Sequence, residues 1–246
     1  MPASPEGSAD APDAPGDAPA RVVVIGCGAL ARELLALTRG LPWVKVEAVD
    51  ARLHMQPSRI AGAVMAKVAK VRARHGAEVR IFVAYADCGT NGALDAVLAA
   101  EGIERIPGAH CYEFYAGSAT YAALQEEELG TFYLTDFLAR QFETLVLVGL
   151  GLDRHPELLP DYFGSYRRLV YLAQTDDPAL TERARAAAKR LGLAFERRDT
   201  GYGELAPVIR AATAATIDAT IDATAATIDA TVATTVPIPF ATAGGA

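Results

Sequence analysis

The chain is short of cysteine, tryptophan and methionine: three, one and three in 246 residues. Cys27, Cys88 and Cys111 lie far apart, so there is no C-x-x-C pair. Three thiols do not make a disulfide framework. The opening residues also lack the basic and apolar regions of a secretory signal. Together these lead us to expect reduced thiols in the cytoplasm. Long apolar runs are missing too. Stretches such as Leu145–Leu152 fall far short of the ~20 residues that cross a bilayer. Positive charge is scarce, with 23 Lys and Arg against 30 Asp and Glu and a net charge of -7. No basic stripe is available for nucleic-acid phosphates or an anionic membrane surface. No G-x-x-x-x-G-K-[ST] phosphate loop, nucleophile elbow or His-Glu zinc helix occurs.

What is present is a patterned core between two biased ends. Residues 1–20 are rich in Pro, Ala, Asp and Gly and read as a disordered arm. Residues 211–246 repeat a Thr-Ile-Asp-Ala unit and read as a low-complexity tail, in which the spacing of Ile217, Ile221, Ile228 and Val232 could give one weak apolar stripe. The core, 21–210, is large enough for one sizeable α/β domain or two small lobes.

Within it, β-branched runs alternate with helical periodicity. "RVVVI" is a strand, "GCG" a turn and Ala29–Thr38 a helix. Val44–Asp50 is a strand, Pro57–Gly76 a helix and Glu78–Tyr85 a strand. "ALDAVLAAEG" is a short helix and "IERI" a short strand. Tyr112–Glu128 reads as one helix, and "TDFLARQF" as a helix capped by Thr135. Arg168–Gln174 is a strand, "PALTERARAAAKRLG" an amphipathic helix starting from Asp177, and "LAFERRD" a strand; "GELAPVIRAA" closes the core. This order predicts a mostly parallel, Rossmann-like sheet with helices on both faces. Ligands then bind outside the C-terminal ends of the strands.

That rule gives the cysteines a topological signal. Cys27 and Cys88 fall in turns directly after predicted strands, and Cys111 a few residues after the fourth. Three thiolates from three loops suit a soft metal. With His110 they would make a Cys₃His zinc site. Alone they could hold a [4Fe–4S] cluster with one iron open to substrate. His54 is a reserve ligand. The competing reading is three inert thiols and a histidine that merely follows a turn.

A second pattern, Gly26-x-Gly28-x-x-Ala31 between strand and helix with Asp50 ending the next strand, fits an NAD(P) fingerprint. Arg52 could meet a ribose phosphate. The plainer reading is that a small-residue turn lets the helix pack closely. Glu113, Asp153, Arg154 and His155 are candidates to line a pocket as acid, base or ligand groups. Asp136 and Arg140 stand four apart and should pair on one helix face. Asp176 follows a predicted strand at the site-facing edge.

The strings "YADCGTNGALD", "PGAHCYEFYAG", "GTFYLTDFLARQF", "GLGLDRHPELLPDYFGSYRRLVYLAQTDDP" and "TGYGEL" resemble the domain-of-unknown-function family 1638 of bacteria and methanogenic archaea. The resemblance runs from about Arg21 to Ile209 and departs from the family pattern at Ala86, where glycine is expected. It implies that Cys27, Cys88, Cys111, His110 and Asp153–Pro156 belong to a shared pattern. It also implies an association with corrinoid proteins and methyltransferases, hence with methylamine or other one-carbon metabolism. Three expectations follow. The first is a cytoplasmic zinc or iron–sulfur protein acting on a small molecule. The second is an NAD(P)-dependent oxidoreductase. The third is a non-catalytic module that serves a corrinoid protein or methyltransferase. The oligomeric state is left open.

Overall fold

The central strands form because their residues are β-branched or aromatic and apolar on both faces, the signature of strands covered on both sides. In the computed structural model, which describes residues 20–214, β1 (Val22–Cys27) is buried throughout. It pairs in parallel with β2 (Val44–Val49) and β3 (Arg80–Ala84), and β3 with the two-residue β4 (Glu104–Arg105). The order is β2-β1-β3-β4. A second sheet, β5-β6-β7, is also wholly parallel: β5 (Thr131–Leu134), β6 (Arg168–Ala173) and β7 (Ala194–Asp199). The edge strand β7 (AFERRD) carries four charged residues, which discourages pairing with another chain.

Helices α1 (Ala31–Leu37), α2 (Ile60–His75) and α3 (Ala93–Ala100) belong to the first sheet. Then come α4 (Cys111–Ala116), α5 (Ser118–Glu127) and, in the second half, α6 (Asp136–Gln141), α7 (Leu159–Phe163) and α8 (Pro178–Leu191). A last helix, α9, covers 205–214. Helix α8 shows how local chemistry fixes an element. Asp177 caps it by accepting from the backbone N–H of Ala179 (2.9 Å) and Leu180 (3.3 Å). Pro178 starts it, and Gly192 ends it in the left-handed region at φ +72°.

The two sheets share a core. One face of the second sheet (Tyr133, Val170, Leu172) lies in the same apolar cluster as the first sheet, joined by Phe114 and Tyr115 of α4 and by Leu205, Ile209 and Ala212 of α9. The other face (Leu134, Leu169, Tyr171, Ala173) packs with Ala139 of α6 and the Leu180–Leu191 stripe of α8.

The parallel α/β architecture is the expected one, with differences in detail. The strands form two sheets instead of one, and Thr131–Leu134, to which the sequence reading assigns no element, is a strand that pairs with β6. The expected helix Tyr112–Glu128 is broken at Gly117 (φ +83°) into α4 and α5. Cys27 is the last residue of β1, paired in register with Val49, and not part of the following turn. The first residues of the expected tail belong to the core: Ala212 and Thr213 are buried in α9. The expected arm (residues 1–19) and the Thr-Ile-Asp-Ala repeats lie outside the described residues.

Candidate functional site

Chain order reverses between β1 and β3. From β1 the chain moves outward to β2, then returns to the other side of β1 at β3. In parallel sheets the crevice beyond the strand ends at such a reversal is where ligands bind. Cys27 ends β1 there. The register pairs Gly26 with Ala84, so the next step sets Cys27 beside Tyr85.

Cys88 follows three residues later, held in the left-handed region at φ +49°. A non-glycine residue there costs about 1–3 kcal/mol and must be held by its surroundings. The Cys88 N–H donates to the Ala109 carbonyl (2.8 Å) and that of Asp87 to Gly108 (3.1 Å), so the turn is zipped to the chain entering α4. The Asp87 carboxylate accepts from the Thr90 hydroxyl (2.6 Å) and from the N–H of Gly92 (2.9 Å) and Asn91 (3.1 Å). Those bonds lower its pKa, with the Thr90 contribution first. The zipper carries Cys111, the first residue of α4, up to Cys88.

The three cysteines therefore line one cavity of about 250 Å³. Cys27 is close enough to raise the pKa of Cys88, and Cys88 and Cys27 that of Cys111. Nearby backbone N–H groups act to lower each thiol's pKa: Ala29 for Cys27, Cys111 for Cys88, and its own N–H and then that of Tyr112 for Cys111. Burial outweighs these donors. It raises the Cys27 thiol, pushes Cys88 up to about 12 and lifts Cys111 well above the ordinary range. Cys111 is partly exposed as a residue, yet its thiol points into protein. A nucleophilic cysteine needs a lowered pKa. Here the shift runs the other way, so as free thiols all three are neutral at pH 7. Among the described residues, no group of three His, Cys, Asp or Glu side chains is closed into a metal-holding arrangement.

Tyr85 is fully buried, and its hydroxyl meets no partner at hydrogen-bond geometry among the described residues. It lies beside the Cys27 sulfur, near enough to lower that thiol's pKa, although the two groups do not meet at hydrogen-bond geometry. Burial, followed by the neighbouring Cys27, raises the phenol's own pKa far above its usual value. The facing wall comes from the second half of the chain. Phe132 of β5, Phe137 and Leu138 of α6, Leu145 and Val146 of a π-helical segment (Phe142–Val148) and Phe163 of α7 close it. Phe132 and Phe163 meet edge to face with centroids 5.3 Å apart.

Of the two expected histidines, His54 lines the cavity with the cysteines and His110 does not. His110 is the residue before α4 and does not line the cavity. His54 is exposed at the rim, yet local crowding first, and His110 second, lower its pKa. Glu113 is spent on the turn into α4: its carboxylate accepts from the Ala109 N–H (2.8 Å) and the Ser118 hydroxyl (3.2 Å). Asp153, Arg154 and His155 are exposed in the turn after the π-helix, with His155 paired to Glu157 (3.1 Å), and none lines the cavity. Asp136 and Arg140 do approach (3.6 Å), and Asp176 pairs with Arg197 (3.1 Å). Tyr85 and the aromatic wall carry no sequence signal, because a tyrosine at a strand end and phenylalanines in a strand and in helices read as ordinary core.

The glycine fingerprint has a packing explanation. A Cβ on Gly26 would lie 2.3 Å from Leu34 Cδ1, and one on Gly28 3.0 Å from the Val49 carbonyl. Asp50 is held by Arg52 through two bonds to one carboxylate oxygen (3.0 and 2.7 Å) and caps the turn that follows by accepting the Arg52 N–H (2.9 Å).

Fold and cavity together define a parallel two-sheet α/β protein with a thiol-lined apolar crevice at its strand ends. A family model described as a protein of unknown function, DUF1638, matches residues 48–209, and the chain belongs to that family. Cys88, Cys111 and the aromatic wall lie within the match; Cys27, Gly26 and Gly28 precede it. No curated protein and no solved structure matches the chain.

Proposed function

We propose that Cys27, Cys88 and Cys111 bind a soft metal, as zinc or as an iron–sulfur cluster. The observation that carries this is convergence. Three cysteines separated by 61 and 23 positions (27 to 88, 88 to 111) reach one cavity at the reversal of strand order. A strained left-handed turn brings one of them there. Backbone N–H groups facing sulfur are the usual tuning device of thiolate-bound metals. Zinc–sulfur bonds of ~2.3 Å require the three side chains to turn toward a common point. An open fourth position would act as a Lewis acid toward a small molecule in the cavity. His54, at the rim, is better placed than His110 to approach that position.

The nucleotide reading finds less support, since the glycines serve packing and Asp50 is already engaged. The link to corrinoid chemistry rests on family resemblance alone.

The test is metal analysis of anaerobically purified protein with an absorption spectrum. About one zinc, or iron with broad absorbance near ~400 nm, is expected. Each single Cys→Ser exchange should lower metal retention by at least ~10-fold. Less than ~0.2 equivalents of either metal, both as purified and after reconstitution, overturns the reading.

A further inference from the structure

We infer that the same cavity binds a small, neutral, apolar molecule carrying one hydrogen-bond acceptor, which Tyr85 recognises. This shares the crevice with the metal reading but does not need the metal.

Size comes first. A 150 Å³ apolar cavity takes benzene. By proportion, the 250 Å³ here suits a molecule of about ten non-hydrogen atoms. Charge comes second. Among the described residues no carboxylate lines the cavity, and the one permanently charged side chain that does, Arg52, is exposed at the rim and already paired with Asp50. An anion would enter without a partner, and a cation would find ring faces but no counter-charge. Burying either unpaired is costly. The polar contact comes third. The Tyr85 hydroxyl is buried and lacks a partner among the described residues. A buried donor of this kind is worth filling, and a ligand lacking the matching acceptor gains nothing from it.

Four probes of nearly equal size separate these points: acetophenone (neutral, one acceptor), cumene (neutral, none), benzoate and phenyltrimethylammonium. Binding is measured by ligand-observed NMR and calorimetry on chelator-treated protein and again on zinc-loaded protein. On the chelator-treated protein, acetophenone is expected to bind about 10-fold more tightly than cumene and at least ~30-fold more tightly than either ion. Tyr85→Phe should bring acetophenone to the level of cumene and leave cumene unchanged. Ala29→Phe, at a lining position that is only partly buried, should block all four while the protein keeps its thermal midpoint. The proposal is overturned if no neutral probe binds, if either ion binds as well as acetophenone, if Tyr85→Phe leaves acetophenone unaffected, or if Ala29→Phe still admits cumene. Failure of the metal reading alone would show as neutral-probe binding with no metal retained.

Discussion

The two walls of the crevice are built to opposite plans. The thiol wall is made of strand ends and turns, and it keeps polar groups waiting. Among the described residues the Tyr85 hydroxyl completes no hydrogen bond, and three cysteines line the cavity. The aromatic wall is made of strand β5 and helices, and the polar groups behind it are settled. Asp136, fully buried, accepts from the Tyr171 hydroxyl (2.7 Å), the Gln174 N–H (3.0 Å) and the Thr175 hydroxyl, with Arg140 nearby. The contrast assigns chemistry to the first wall and shape to the second. Backbone strain points the same way: Cys88 and Asn91, the two non-glycine residues with positive φ among the described residues, both lie on the thiol side.

The contrast can be tested from either wall. The largest effect should come from Asp136→Ala, which leaves three donors and Arg140 without their acceptor. We expect a loss of about 4 kcal/mol in denaturant unfolding, with the thiols still in place. Next, Phe163→Ala removes a ring that is 6 % exposed and touches Phe132 and Tyr166. It should cost about 3 kcal/mol by the same measurement and widen the crevice. On the thiol wall the sign of the argument changes. Cys88→Gly should be about 1 kcal/mol more stable than Cys88→Ala, because glycine accepts the left-handed turn. Both exchanges should abolish metal retention equally, separating stability from function at one residue.

The smallest effect concerns Glu33 of α1, buried at 4 % exposure with one carboxylate oxygen unpaired. Burial first, and Asp136 among its neighbours, raise its pKa above 4.5. A group raised on folding stabilises fully below its unfolded pKa, and that contribution is lost as pH rises through the folded value. Glu33→Gln should therefore unfold at a slightly higher temperature than the parent at pH 7.5. The advantage should vanish near pH 4; an equal gain at both values would contradict this origin.

The sequence made the alternation of strands and helices legible, because runs such as Val22–Ile25 and Leu169–Leu172 are continuous and the α8 stripe keeps its period. The division into two sheets was not legible. It hangs on Thr131–Leu134, four residues between an acidic run and a helix cap, too short to show a period. The thiol side of the site could be read because cysteine is rare and strand ends are where parallel sheets bind. Glu113, Asp153, Arg154 and His155 misled, because polar residues cluster at turns for structural reasons too. Glu113 satisfies a turn, and the other three are solvent-facing. The aromatic wall stayed hidden because nothing in a phenylalanine's local pattern tells whether it faces a core or a cavity.

Helix α9 has a consequence for the order of events in the cell. Leu205, Ile209 and Ala212 complete the apolar cluster that holds the first sheet, although 94 positions separate Leu205 from Cys111, the first residue of α4 (111 to 205). A nascent chain halted before residue 205 would have all three cysteines outside the ribosome and still lack one cover of the sheet that positions two of them. The cover over that sheet thus closes only once α9 has packed, and whatever fills the crevice meets its finished shape after residues 205–212 are in place.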